Sequence, residues 1–244
     1  MMNKPRHYIY PDIDSLVAAA VCELEKDIMR LFEQATHVNL CLSGGSTPIH
    51  LYRALVQANP DLDWGRVRFF WGDERCVPPG HEESNYGNAK SALLLPLGVP
   101  ESNVFRIRGE EEPQVEANRY ANILRQELPE IDGMPVFDWM FLGLGEDGHT
   151  LSIFPESIDL WDSPDLCLVT MHPGTGQERV SLSGGMVNAA KRVTFFVTGE
   201  NKSEVLNKLI FKQGNYQDYP ASRVKPEHGL LEWYLDQSAA KLFS

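Results

Sequence analysis

The 244-residue chain is poor in cysteine, in positive charge and in long apolar runs. Its four cysteines, Cys22, Cys41, Cys76 and Cys167, lie far apart and form no Cys-x-x-Cys pair. That spacing offers neither a zinc signature nor a disulfide framework, and it fits a reducing, cytoplasmic compartment. Cys22 and Cys41 fall in apolar periodic segments and are expected to be buried free thiols. No apolar run approaches the roughly 18 residues of a membrane span. None of signal-peptide length follows Met1-Met2-Asn3-Lys4-Pro5-Arg6-His7. Basic residues number 22 against 34 acidic ones, a formal charge of −12. Such a chain is ill-suited to nucleic acid or to an anionic membrane surface. It still permits a small anionic ligand, which answers to a local pocket rather than to net charge.

What is present is ordinary for a folded globular protein: 43% hydrophobic and 23% charged residues. A chain this long buries roughly three quarters of its unfolded surface, enough for a core without disulfides. No repeat, low-complexity tract or linker breaks it, so residues 1–244 are expected to form a single domain. Segment 12–34 carries Ile13, Val17, Val21, Leu24, Ile28 and Leu31 at helical spacing, with Asp14 or Ser15 placed to cap it. Val38 to Leu42 reads as a buried strand, followed by a helix with Pro48 in its first turn and Ser46 or Thr47 as cap. Strands are expected at Val67 to Trp71, Phe137 to Leu142, Leu166 to Met171 and Val193 to Val197. Helices are expected over 84–95, over 114–128 (with Val115 on its apolar stripe), over 201–211 and in the tail from Leu235. Residues 155–178, rich in Pro and Gly, read as a loop. The alternation predicts an α/β fold, a mostly parallel Rossmann-like sheet with helices on both faces.

Ligands of open α/β sheets bind beyond the carboxyl ends of the strands. Polar or glycine-rich text follows the strands at Ser43 to Thr47, Asp73 to Arg75 and Gly143 to His149. Gly44 and Gly45 permit close ligand approach, and the helix start with Ser46 and Thr47 suits a phosphate or oxyanion. A tight turn with a hydroxyl cap explains the same text. The segment is neither a Walker loop nor a dinucleotide fingerprint. Asp73-Glu74-Arg75 is either a solvated charge cluster or a crevice wall in which Arg75 grips an anion. In Asp147-Gly148-His149 the carboxylate can orient an imidazole that moves protons, although histidine in a turn is the commoner structural case. Lys202, near a helix start, and Arg179, at the start of a strand, are equally ambiguous alone. His7, His37, His50, His81, His172 and His228 lack such context and are read as structural.

In order along the chain stand Leu42-Ser-Gly-Gly-Ser-Thr-Pro48, Trp71-Gly-Asp-Glu-Arg75, Ser84-Asn-Tyr-Gly87 and Leu142-Gly-Leu-Gly-Glu-Asp-Gly-His-Thr150. Arg179-Val-Ser-Leu182, Gly199-Glu-Asn-Lys202 and Pro220-Ala-Ser222 follow. Over nearly its whole length the chain resembles the lactonase branch of the glucosamine/galactosamine-6-phosphate isomerase family. The resemblance implies hydrolysis of 6-phospho-D-glucono-1,5-lactone, a step of the pentose phosphate pathway, without metal or cofactor. It casts His149, Asp147 and Arg75 as the catalytic group. Gly44, Gly45, Ser46, Thr47, Asp73, Arg179 and Lys202 then hold the sugar phosphate. The deaminase branch carries a catalytic Glu at the position of Phe154 and Asp-Glu-Tyr where this chain has Asp73-Glu74-Arg75. Both departures favour the lactonase over glucosamine-6-phosphate deamination. A third reading is a non-catalytic sugar-phosphate sensor, such as the regulatory domains of this fold; no DNA-binding segment accompanies it here. The expected partner is the small-molecule lactone, with no nucleic acid and no membrane, on a monomer or weak dimer. A small positive pocket on an acidic surface is the resulting expectation.

Overall fold

The structure, a computed structural model, describes residues 4–243. Met1 to Asn3 of the N-terminal stretch and Ser244 of the tail lie outside it. In chain order the strands and α-helices are β1 (Arg6–Tyr10), α1 (Ile13–Phe32), β2 (Val38–Leu42), α2 (Ser46–Ala58), β3 (Val67–Trp71), β4 (Asp73–Arg75) and α3 (Asn85–Ala89). Next come β5 (Val104–Phe105), α4 (Pro113–Glu127), β6 (Glu130–Ile131), β7 (Met134–Pro135) and β8 (Trp139–Leu142). The last are β9 (Cys167–Met171), β10 (Glu178–Leu182), α5 (Gly184–Ala189), β11 (Arg192–Val197), α6 (Ser203–Phe211) and β12 (Leu230–Asp236).

The central sheet has the order β1-β12-β11-β8-β2-β3-β5, and every neighbouring pair is parallel. Every residue of β2, β8 and β11 is buried. Successive side chains of a strand point to opposite faces, so full burial requires cover on both. One contiguous core runs from Leu16 and Ile28 of α1 through Phe69, Met140 and Phe195 to Leu206 of α6. Each such apolar side chain contributes about 1.5–3 kcal/mol by leaving water. From β2 the chain runs outward through β3 to β5, then returns to place β8 on the other flank of β2. The order therefore reverses between β2 and β8, which opens a crevice at their carboxyl ends.

A second, three-stranded antiparallel sheet, β4-β10-β9, was not legible in the sequence. It turns Asp73-Glu74-Arg75 from the expected loop into a strand. Residues 155–178 are likewise not a loop throughout: a 3₁₀ helix spans Pro155–Asp162, the strand expected at Leu166 to Met171 is present as β9, and β10 begins at Glu178. The tail from Leu235 is not a helix. Leu235 and Asp236 finish β12, which lies between β1 and β11, and turns follow. Helix α1 is capped by Asp12, whose side chain accepts from Ser15 N at 2.8 Å, rather than by Asp14 or Ser15. Such a cap contributes about 1 kcal/mol. Cys22 is exposed, because it lies off the buried stripe of Leu16, Ala20, Leu24 and Ile28. Val115 is exposed too, since α4 turns Ala117, Tyr120 and Leu124 inward.

Candidate active site

Four strand ends of the central sheet meet at the crevice, where a pocket of about 330 Å³ opens. Ser43 to Pro48 enter it from β2, Asp73 from beyond β3, Gly143 to Gly145 and His149 from beyond β8, and Thr198, Asn201 and Lys202 from beyond β11. Arg75 and Arg179 reach it from the small sheet. Of the ten residues given catalytic or binding roles from the sequence, Asp147 alone does not line the pocket, and it bonds to one that does.

Helix α2 begins at Ser46, with Gly45 as its N-cap at φ 103° and no side-chain cap. The expected capping by Ser46 or Thr47 is therefore not made; the Thr47 hydroxyl instead meets that of Thr198 at 2.7 Å. Uncapped N–H groups at a helix start suit an anion, which the helix dipole also favours. Behind the turn, the buried Tyr52 hydroxyl donates to Ser43 O at 2.7 Å and accepts from Ser43 N at 3.2 Å. Gly44 packs on Asn85, whose amide oxygen would lie 1.8 Å from a Cβ at this position. The turn thus has room for nothing larger than glycine.

Asp147 Oδ1 lies 2.6 Å from His149 Nδ1 and also accepts from His149 N at 3.2 Å. Burial opposes ionisation of Asp147, but the bonds to His149 outweigh it and hold this carboxyl below its ordinary value. An ionised carboxylate only accepts, so Nδ1 carries the proton and Nε2 is the nitrogen free to take one. Phe154, 1% exposed, packs its ring 4.6 Å from that of His149 on one side and 5.7 Å from the Arg179 guanidinium on another.

In the small sheet Arg179 is the direct cross-strand partner of Arg75, and Ser181 of Asp73. Like charges in register disfavour the pair unless an anion joins them. Burial lowers the Arg179 pKa first, and the neighbouring Arg75 lowers it further. Burial likewise lowers that of Lys202, against the pull of Glu146 and Asp147. Among the described residues Arg75, Arg179 and Lys202 form no ion pair with a carboxylate, and the Nε atoms of both arginines are buried without a partner. Three unneutralised cations and one acid, Asp73, line the pocket of a chain with a charge of −12. The contrast expected from the sequence is present.

Asp73 is 5% exposed. Its Oδ2 accepts from Ser152 Oγ at 2.6 Å, and Asn85 Nδ2 donates to its backbone oxygen at 2.9 Å. Ser152 Oγ in turn accepts from Arg179 Nη1 at 3.4 Å. Glu74, 1% exposed, holds the start of α3 in place by accepting from Ser84 Oγ, Asn85 N and Tyr86 N. Burial pushes its carboxyl up against those bonds. Sequence reasoning missed Asn85, Thr198 and Asn201 as lining residues, although Asn85 and Asn201 stand inside the motifs Ser84-Asn-Tyr-Gly87 and Gly199-Glu-Asn-Lys202.

Residues 11–233 match the model of a family described as glucosamine-6-phosphate isomerases/6-phosphogluconolactonase. The chain is 39% identical over 215 residues to a 6-phosphogluconolactonase of Haemophilus influenzae, covering 87% of this chain and 90% of that one. It is 34% identical over 240 residues to a Synechocystis 6-phosphogluconolactonase, covering 95% and 98%. The crystal structure of 6-phosphogluconolactonase from Leishmania guyanensis superposes with a TM-score of 0.88 at 29% identity, over 99% of this chain and 100% of that one. The chain belongs to the glucosamine-6-phosphate isomerase/6-phosphogluconolactonase family.

Proposed function

We propose that this chain is an enzyme that hydrolyses 6-phospho-D-glucono-1,5-lactone to 6-phospho-D-gluconate. The observation that carries the reading is the Asp147–His149 pair bordering the same pocket as three cations without carboxylate partners. His149 Nε2 takes a proton from the water that attacks C1. The tetrahedral oxyanion is held by backbone N–H groups near Gly44 and Gly45 and by Arg75; one such donor is worth roughly 10²–10³ in rate. Collapse breaks the bond from C1 to the ring oxygen, which leaves with the proton returned by His149. The new carboxylic acid then ionises, so each turnover releases one proton to solvent. Asp147 keeps Nδ1 protonated and stabilises the imidazolium between the two transfers.

Arg179 and Lys202, with the hydroxyls of Ser46 and Thr47, anchor the phosphate and so hold C1 at His149. Asp73, tied to Ser152 and Asn85, accepts from a substrate hydroxyl. Phe154 favours this chemistry over amine expulsion. An apolar ring fills the place between His149 and Arg179 where the deaminase reading needs a carboxylate. The four free cysteines support a reducing, cytoplasmic setting.

The test is a titration of acid release from the lactone at constant pH, corrected for its spontaneous hydrolysis. Deamination of glucosamine 6-phosphate is measured alongside. Fast acid release without ammonia is expected. Ammonia from the amino sugar would assign the site to deamination, and tight binding of 6-phosphogluconate without turnover of either substrate would assign it to sensing.

A further inference from the structure

The Pro220-Ala221-Ser222 run belongs to the ordered motifs of the sequence, yet none of its residues lines the pocket. With Tyr219, it packs against the turn that carries His149. Gly148 has φ +84°, and a Cβ on it would lie 2.5 Å from Tyr219 Cγ and 2.6 Å from Cδ1. The Tyr219 ring is thus in direct contact with the Gly148 backbone. Ala221 N donates to Gly148 O at 3.1 Å, so the peptide that joins Gly148 to His149 is bonded from the same segment. The turn's own bonds run the other way: Gly148 N donates to Gly145 O at 3.1 Å, and Gly145 N to His149 O at 2.9 Å.

The segment is itself fixed. Pro220 and Ala221 are buried in a 3₁₀ helix over Pro220–Arg223, and Ser222 N donates to Tyr219 O at 2.9 Å. Among the described residues the Tyr219 hydroxyl meets Lys208 Nζ at 3.3 Å and Asn215 Oδ1 at 3.4 Å, and no atom of the turn. What the turn receives from Tyr219 is therefore its ring.

We propose that Tyr219 is a positioning residue for the His149–Asp147 pair: its ring braces Gly148 and, with the Ala221 N–H, fixes the peptide from which His149 springs. The pair depends on that peptide. Asp147 and His149 flank Gly148, and their side chains meet at 2.6 Å only while the backbone between them keeps its left-handed conformation. Removal of the ring leaves a void beneath Gly148, into which the turn relaxes. The Asp147–His149 bond then lengthens, and the imidazole no longer keeps one tautomer. Arg179 stands on β10, and Lys202 caps the start of α6, six residues ahead of Lys208, the residue of that helix which Tyr219 meets, so phosphate binding is spared.

The inference rests on the proposed lactonase reading, but one arm of its test does not. Tyr219→Ala is expected to lower kcat for the phosphorylated lactone by about 30- to 100-fold, the scale of a misplacement near 1 Å, with KM within about twofold. Tyr219→Phe keeps the ring and is expected to retain wild-type kcat. In substrate-free protein labelled with ¹⁵N-histidine, long-range ¹H–¹⁵N spectra report the tautomer of His149 directly, with its signal identified by loss in His149→Asn. The wild type and Tyr219→Phe should show Nδ1–H, and Tyr219→Ala a mixture of tautomers. If Tyr219→Ala keeps a pure Nδ1–H tautomer and its kcat stays within about threefold, the ring is only filler and the proposal is overturned. A raised KM with unchanged kcat overturns it as well. Should the alanine variant fail to fold by circular dichroism, Tyr219→Leu takes its place, with the same changes expected and the same results overturning the proposal. If the wild type proves to have no lactonase activity, the functional reading falls, while the tautomer spectra still decide the role of Tyr219.

Discussion

Gly145→Ala separates the catalytic pair without removing a functional side chain. A Cβ built on Gly145 lies 2.1 Å from His149 Nδ1 and 2.4 Å from Asp147 Oδ1, so it points into the hydrogen bond between them. Contacts below 3.0 Å are not tolerated, and the imidazole has to retreat by about 0.9 Å. It has little room to do so, because Phe154 packs against the ring and is itself buried. A shift near 1 Å in a group that moves a proton costs on the order of 10² in rate. The substitution should therefore lower kcat about 100-fold and leave KM within about twofold, since Arg179 and Lys202 are untouched. Initial rates of acid release across a range of lactone concentrations measure both constants, and a thermal melt confirms that the variant folds. Gly145 does not have positive φ, so alanine meets no backbone penalty there and the effect is steric. A folded Gly145→Ala protein whose kcat stays within about threefold of wild type would show that the pair does not carry the chemistry.

Lys202→Ala and Arg179→Ala should each raise KM for the phosphorylated lactone by roughly 10-fold or more while barely changing the kinetics of unphosphorylated gluconolactone; equal effects on both substrates would remove the phosphate assignment. Glu74→Gln should destabilise the fold by about 1–3 kcal/mol in a denaturant titration, because the three backbone N–H groups and the hydroxyl that point at the carboxylate then meet an amide NH₂. Asp147 has its folded pKa depressed by His149, so its contribution to stability is present above the ordinary carboxylate range and is lost as pH falls through the lowered folded value. Asp147→Asn should accordingly flatten the acid limb of the stability curve relative to wild type, and an unchanged limb would contradict the depressed value.

The sequence made the crevice legible through simple physics. Leu42, Trp71 and Leu142 each end an apolar strand, and the polar residues after them had to lie on one edge of a parallel sheet. The same logic reached Lys202, and Arg179 was flagged as the start of a strand. Two things stayed hidden. The small sheet rests on a three-residue strand, β4, too short to carry a periodicity. The register that sets Arg75 beside Arg179 is long-range and has no local trace. Strand β12 is not announced in the sequence, and its last two residues read as the start of a helix, because Leu230–Asp236 carries Glu232 and Asp236 in what is a buried strand. Glu232 is tolerated at 1% exposure because Arg192 binds it while the Arg192 guanidinium lies 3.7 Å from the centre of the Trp139 ring and also pairs with Asp27. No local pattern announces such a network. Asn85 was missed as a pocket residue because its task there, filling the space beside Gly44, depends on a contact across 41 positions of sequence.

The most direct test of the central claim is the rate of acid release from 6-phospho-D-glucono-1,5-lactone at pH 7, above the spontaneous rate, for the wild type and for His149→Ala. The account predicts that the wild type greatly exceeds the spontaneous rate and that His149→Ala loses about 10²–10⁴ of the enzymatic rate. A wild type no faster than the spontaneous reaction, or a His149→Ala variant that keeps within about threefold of the wild-type rate, would contradict the account.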